Sequence, residues 1–162
     1  MVMLVTIMIL GSIASNFAFL KTSAGEAEVL RDSLVFCRSA AIKSNQTSYV
    51  EFDLDEETYR AFRYVRTKEE LEEKVFLKKK QLSGFNSLVA IAVATGARIT
   101  TGKVTVPFSP EGVAEELAIY IGEEGNIKAT VLYSRYGNEA QIHSGEVEHN
   151  LENPGWKEDL EE

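Results

Sequence analysis

Residues 27–46 read AEVLRDSLVFCRSAAIKSNQ, and residues 47–54 continue as TSYVEFDL. The hydrophobic period changes between them. Ala27, Leu30, Leu34, Cys37 and Ala41 recur at steps of three and four, which is one stripe of an α-helix. Val29, Phe36 and Ala40 widen that stripe, while Glu28, Arg31, Asp32, Arg38 and Lys43 share the opposite half with Val35 and Ile42. Val50, Phe52 and Leu54 then alternate with Tyr49, Glu51 and Asp53, the period of a half-buried strand. Ser44 and Asn45 supply the stop between the two, because asparagine tolerates the left-handed conformation that ends many helices. The expectation is an amphipathic helix that hands over directly to a β domain.

Upstream lies MVMLVTIMILGSIASNFAFL, residues 1–20, with no charge before Lys21. At ~1.5 Å per residue such a helix spans ~30 Å, the hydrocarbon thickness of a bilayer. A cleaved signal peptide would use Ser12 and Ala14, or Thr22 and Ala24, as its small residues, but no Lys or Arg precedes the run. A buried core helix is the third reading and fits a charge-free terminal segment poorly. The membrane helix is preferred. No proline falls within residues 1–45, and Gly11 and Gly25 weaken a helix by only about 1 kcal/mol each. One continuous helix of ~40 residues, some 60 Å long, is therefore expected, its first half in lipid.

Downstream, Thr58–Val65 follows the Asp55-Glu56-Glu57 turn as the second strand of a hairpin, while Lys68–Lys74 reads as a short helix or loop. Val75–Leu82, Leu88–Ala94, Val104–Phe108, Leu117–Ile121, Ile127–Tyr133 and Ala140–His143 complete the strands. Gly- and Asn-rich turns such as Gly122-Glu123-Glu124-Gly125-Asn126 separate them. A sheet with one apolar face needs a cover, and the amphipathic helix provides it. The fold class is α+β, a long N-terminal helix on a small antiparallel β-sheet domain. Residues 1–20 form a transmembrane helix, 21–46 its amphipathic continuation, 47–143 the β-rich domain and 144–162 an acidic disordered tail.

The 162 residues are 44% apolar and 26% charged, a composition suited to one folded domain. The net charge of −8 is unevenly placed: residues 1–80 carry 12 basic and 12 acidic groups, residues 81–162 carry 5 and 13. That balance argues against a nucleic-acid partner, which requires a basic strip. Residues from Ser144 onward hold seven acids and only Lys157, the composition of a solvated tail.

Chemistry-bearing residues are sparse. His143, His149 and Cys37 show neither HExxH nor CxxC spacing, so no metal site and no cofactor is expected. Cys37 lies on the apolar stripe and reads as a small buried hydrophobe. Asp53-Leu54-Asp55-Glu56-Glu57 could attract calcium but lacks the glycine and spacing of an EF-hand, and a solvated turn is preferred. Lys78-Lys79-Lys80 reads as a strand end or solvated face, and Asn45-Gln46-Thr47 as a chance glycosylation sequon. No catalytic residue is identified, and no enzyme is expected.

The stretch from Leu30 to Gln46 resembles the helix end "L…AR-S-A-I-K-x-N" of the type IV pilin and pseudopilin superfamily, in its H-type branch of GspH/FimT-like minor pseudopilins. Ala41, Ile42, Lys43 and Asn45 carry that likeness. Val50-Glu51-Phe52-Asp53 is similar to the family's next strand. Phe108-Ser109-Pro110-Glu111-Gly112 is similar to its "F-x-P-x-G" turn, and Ile127–Tyr133 with Tyr136-Gly137-Asn138 to its closing hairpin. The likeness spans roughly residues 1–143. The prepilin signal, glycine followed by Phe-Thr-Leu-x-Glu, does not occur in the sequence: either a few residues ahead of Met1 have been lost or the likeness fails at this point, and a prepilin peptidase is an implied partner only if that leader exists.

The resemblance implies a pilin-like fold and a structural role. The subunit would be anchored in the bacterial inner membrane by a single pass, with its globular domain in the periplasm or outside the cell. It would be assembled by helix packing into a type II secretion pseudopilus or type IV pilus tip. The implied partners are other pseudopilins or pilins, the inner membrane, and a prepilin peptidase acting on the leader, with N-methylation of the new terminus. Val35 and Ile42, on the half of the helix that its own sheet should leave open, are the subunit-packing candidates. The alternative is a membrane-anchored extracytoplasmic binding domain that forms no fibre.

Overall fold

The computed structural model describes residues 25–68, 70–82, 86–135 and 140–147. The apolar run 1–20, the Tyr136-Gly137-Asn138 turn and most of the acidic tail lie outside the described residues. Among those described, no helix is long and apolar enough to cross a membrane.

The helix, α1, runs over residues 25–44. Its narrow stripe of Ala27, Leu30, Leu34, Cys37 and Ala41 is fully buried. Each leucine so removed from water contributes roughly 1.5–3 kcal/mol, which is what fixes the helix on the domain. Ser33 also faces inward and is satisfied locally: its hydroxyl donates to the Val29 carbonyl at 2.8 Å and lies 3.5 Å from the Tyr59 hydroxyl. The stripe is narrower than its composition suggests. Val29 and Phe36 are 49% and 51% exposed, because they lie at the flank of the stripe, beyond the width that the sheets cover. Phe36 keeps one contact, edge-on to Phe76 at 5.9 Å between ring centres.

Among the described residues nine strands follow: β1 (Ser48–Asp53), β2 (Thr58–Arg66), β3 (Leu71–Gln81), β4 (Ser87–Val93), β5 (Arg98–Ile99), β6 (Lys103–Phe108), β7 (Leu117–Glu123), β8 (Asn126–Tyr133) and β9 (Gln141–Ser144). They form two antiparallel sheets rather than one, ordered β3-β2-β1-β6 and β5-β4-β7-β8-β9. The inner faces of both sheets and the stripe of α1 share one core, in which Phe52, Tyr59, Phe108, Ile119 and Tyr133 are the bulky members. A second, smaller cluster of Ala90, Ala92, Ala118 and Tyr120 lies on the other face of the five-stranded sheet, so β4 is apolar on both sides as its sequence implies.

Two expectations are corrected. Lys68–Lys74 is neither helix nor loop at its C-terminal end, because β3 begins at Leu71. This strand is at a sheet edge and is exposed apart from Phe76 and Leu77, which are half-buried against the core, so the rest of its sequence has no need to alternate. The acidic tail does not begin at Ser144. That residue ends β9, and residues 145–147 are held against the five-stranded sheet. Gly145 N–H donates to the Lys128 carbonyl, Thr130 Oγ1 donates to the Gly145 carbonyl at 2.7 Å, and the Tyr120 hydroxyl donates to the Val147 carbonyl at 3.2 Å. Arg98 stacks over the Tyr120 ring and pairs with Glu146.

Burial pushes the Cys37 thiol up to about 12. The thiolate, the reactive form, is thereby suppressed across the physiological range. In the native protein at pH 8 a thiol reagent is expected to leave Cys37 unmodified, and to label it completely once denaturant opens the core; fast native labelling, followed by mass spectrometry, would contradict the packing described.

Candidate functional site

The two stretches that resemble family motifs meet at one place, the C-terminal end of α1. Asn45 adopts φ +50°, and behind it the Asn45 N–H reaches the Ile42 carbonyl and the Gln46 N–H the Ala41 carbonyl, both at 3.2 Å. This pair of bonds is a Schellman cap, and it turns the chain out of the helix into β1. Ser44 Oγ adds a bond to the Ala40 carbonyl at 2.7 Å. Lys43 projects to solvent beside the negative end of the helix dipole.

Opposite the cap, Ser109-Pro110-Glu111-Gly112 forms a β-turn closed by Gly112 N–H to the Ser109 carbonyl at 2.8 Å. Proline at the second position and glycine at the fourth suit such a turn. Ser109 N–H bonds the Val113 carbonyl, and a hydrogen bond from Ser109 holds the Glu111 carboxyl below the usual carboxylate range. Gly112 has φ +79° and lies under the helix: a Cβ there would stand 2.8 Å from Ile42 Cδ1 and 3.0 Å from Arg38 Nε. Arg38 Nε donates to the Gly112 carbonyl at 3.0 Å. Phe108, just before the turn, is fully buried and packs edge-on against Tyr133 at 5.3 Å. Ala41 and Phe108 are thus core residues, Asn45 and Pro110 shape turns, and Gly112 leaves room for Ile42 and Arg38. Of the two packing candidates, Val35 is partly exposed and Ile42 is 44% exposed despite its contact with Gly112.

The outer face of the four-stranded sheet is a network of ion pairs. Arg60 sits between Glu51, at 2.8 Å, and Glu73, and lies over the Phe62 ring. Lys103 approaches Asp53 at 3.3 Å, and Lys79 pairs with Glu56. The carboxylates of the β1–β2 turn are also taken up by backbone groups: Asp53 accepts from Glu56 N–H and Asp55 from Gly102 N–H, each at 3.0 Å. These acids therefore close a turn and bind cations already present in the chain. Groups of three or more His, Cys, Asp or Glu side chains placed to hold a metal do not occur among the described residues.

The hydrogen bond from Arg60 lowers the Glu51 pKa, and Glu51 in turn raises that of Arg60. A carboxyl depressed on folding contributes stability above its unfolded pKa and loses it as pH falls through the folded one. Glu51→Gln should therefore cost about 1 kcal/mol at neutral pH and progressively less under acid. Urea titrations from pH 7 down to pH 3 check this, and a penalty independent of pH would contradict it.

Cys37 in the core and His143 on β9 are not brought together; His149 lies outside the described residues. Sequence reasoning missed the Arg38–Gly112 link, for which the only signal was an arginine one helical turn before Ile42 on the otherwise solvated half of α1.

No protein-family model matches the chain, and no curated protein matches it in sequence. Solved structures do. The minor pseudopilin EpsH from the Type 2 Secretion System of Vibrio cholerae superposes with a TM-score of 0.61 at 13% identity, over 76% of this chain and 96% of that one. A crystal structure of the same minor pseudopilin gives 0.61 at 12% identity, over 76% and 97%. One helix packed on antiparallel sheets is thus a pilin-like α+β fold, shared with those structures.

Proposed function

We propose that this chain is a structural minor pseudopilin. It is anchored in the bacterial inner membrane by residues 1–20, carries its β domain in the periplasm, and is assembled by helix packing into a type II secretion pseudopilus or a type IV pilus tip. The observation that carries this reading is the likeness to EpsH over 96% of that structure, combined with a charge-free segment placed directly before α1. The proposed action is mechanical. Residues 1–20 exchange lipid for equally apolar neighbouring helices, so transfer costs little and packing detail decides the order of assembly. Prepilin peptidase processing and N-methylation belong to the same reading.

Val35 and Ile42 are the proposed helix contacts to adjacent subunits. In membranes of the native host, the full chain should co-purify with other pseudopilins. Val35→Glu should lower that recovery about tenfold or more, because it places an unpaired charge in an apolar contact, while leaving the melting temperature within a few degrees. A wild-type chain recovered alone would instead mean an anchored binding domain that forms no fibre, and an unchanged Val35→Glu complex would remove Val35 from the interface.

A further inference from the structure

The outer face of the five-stranded sheet is largely apolar, although an antiparallel sheet with one solvated face would be polar there. Strand register sets two rows on it. Arg98, Ala92, Ala118 and Leu132 stand side by side on β5, β4, β7 and β8, and Ala90, Tyr120, Thr130 and His143 on β4, β7, β8 and β9. Ala90, Ala92 and Ala118 are neighbours across two strands, and their short side chains floor a shallow trough beside Tyr120. Val89 and Leu132, at its rim, are only half-buried. His143 Nε2 is buried without a hydrogen-bond partner, a second sign that the described residues do not complete this face.

One piece of chain already lies on this face. Residues 145–147 leave β9 and cross it, where Thr130 Oγ1 on β8 donates to the Gly145 carbonyl and accepts from Val147 N–H at 3.3 Å. The Tyr120 hydroxyl on β7 then donates to the Val147 carbonyl. Glu146 pairs with Arg98 on β5, whose guanidinium lies 4.4 Å over the Tyr120 ring. The path therefore runs from β9 across β8 and β7 toward β4, and the trough begins one strand spacing, about 4.8 Å, farther on. Residues 148–162 lie outside the described residues. Their apolar members are Leu151, Trp156 and Leu160, and Asn153-Pro154-Gly155-Trp156 has proline second and glycine third, the composition of a type II turn.

We infer that residues 148–156 of the same chain continue this crossing and cover the alanine trough, with the Trp156 ring seated on Ala90, Ala92 and Ala118. The segment passes β4, turns back at Pro154-Gly155 beyond the short edge strand β5, and returns Trp156 over the sheet. Small side chains on the floor leave the depth that a large ring fills, and burying it removes apolar surface of both partners from water. The tether favours the chain's own segment over any separate partner. Residues 145–147 are already held on the face, so the rest of the segment acts at a local concentration in the millimolar range, which a free copy does not reach. The C-terminal segment is then a second cover for the domain, opposite the one provided by α1. The inference goes beyond the assembly reading and does not depend on it, since it holds for an anchored domain as for a fibre subunit.

The test uses the full chain in detergent and its single tryptophan, Trp156. Its fluorescence should lie at shorter wavelength than in the denatured chain and be quenched by acrylamide several-fold less, at every protein concentration. Ala92→Leu fills the trough, and Arg98→Glu, at a side chain 41% exposed, repels Glu146. Each should restore most of the lost quenching while circular dichroism stays unchanged. Trp156→Ala leaves the sheet untouched and should lower the melting temperature by a few degrees. A Trp156 quenched as freely as in the denatured chain would overturn the inference, as would a Trp156→Ala variant that melts like wild type. Shielding indifferent to both sheet substitutions would overturn it by placing the ring in detergent or elsewhere on the chain. Shielding lost on dilution would do so by making the occupant a second copy.

Discussion

Gly122→Ala is expected to destabilise the domain by about 3 kcal/mol or more, lowering the melting temperature by roughly 10 °C in a chain of this size. Gly122 has φ +151°, and a Cβ there would lie 2.6 Å from the Asn126 carbonyl oxygen, 2.8 Å from the Lys128 nitrogen and 3.1 Å from Ile127 Cα. All three are backbone atoms of the paired strand, so no rotamer change relieves the clash. The strand pair must open at the register shift between Ile121 and Gly122, where the ladder is already irregular. Ser87 Oγ, which donates to the Gly122 carbonyl at 3.0 Å, would lose its acceptor and with it the start of β4. Gly125→Ala, three residues on, provides the control. It has φ +77° but open space around a Cβ, so only the left-handed penalty of ~1–2 kcal/mol applies. Thermal unfolding followed by circular dichroism separates the two. Equal losses would mean that the close approach of β8 to Gly122 is not a constraint.

The contrast between these glycines illustrates what the sequence disclosed and what it withheld. Both occur in a turn-rich string, and the turn was legible; which glycine faces a strand is a property of pairing register, set by residues on another element. The same division runs through the molecule. The stripe Ala27, Leu30, Leu34, Cys37, Ala41 was legible because a helix buried on one side imposes its own period, and Asn45 because a left-handed cap suits few residues. Phe36 was misjudged, since the width of a buried stripe depends on the curvature of the sheets beneath it. The start of β3, residues 71–74, escaped because Leu, Glu and Lys at an exposed edge follow no period, whereas its continuation from Val75 was legible. The meeting of the Schellman cap with the Ser109–Gly112 turn was illegible for another reason: Arg38 and Gly112 are 74 residues apart, and no local pattern reports their contact.

That meeting point depends on Phe108, and Phe108→Ala is expected to cost ~3–5 kcal/mol. The ring is fully buried, packs edge-on against Tyr133 at 5.3 Å and 77°, and belongs to β6 at the border of the four-stranded sheet, whereas Tyr133 belongs to β8 of the other sheet. Burial raises the pKa of the Tyr133 hydroxyl, and Arg38 lies close enough for its charge to act against that rise. One ring therefore joins both sheets at the level of α1 that holds the Gly112 turn, and its removal leaves a cavity that three elements would have to close together. Phe108→Leu should cost distinctly less, about 1–1.5 kcal/mol, because most of the volume is kept. Tyr133→Phe makes the opposite prediction at the same contact. The Tyr133 hydroxyl is buried without a hydrogen-bond partner, so its removal should leave stability unchanged or slightly raised. If Phe108→Ala melted within a few degrees of wild type, the turn and the helix cap would have to be held by Arg38 and Ile42 alone, and Arg38→Ala would then carry the larger loss.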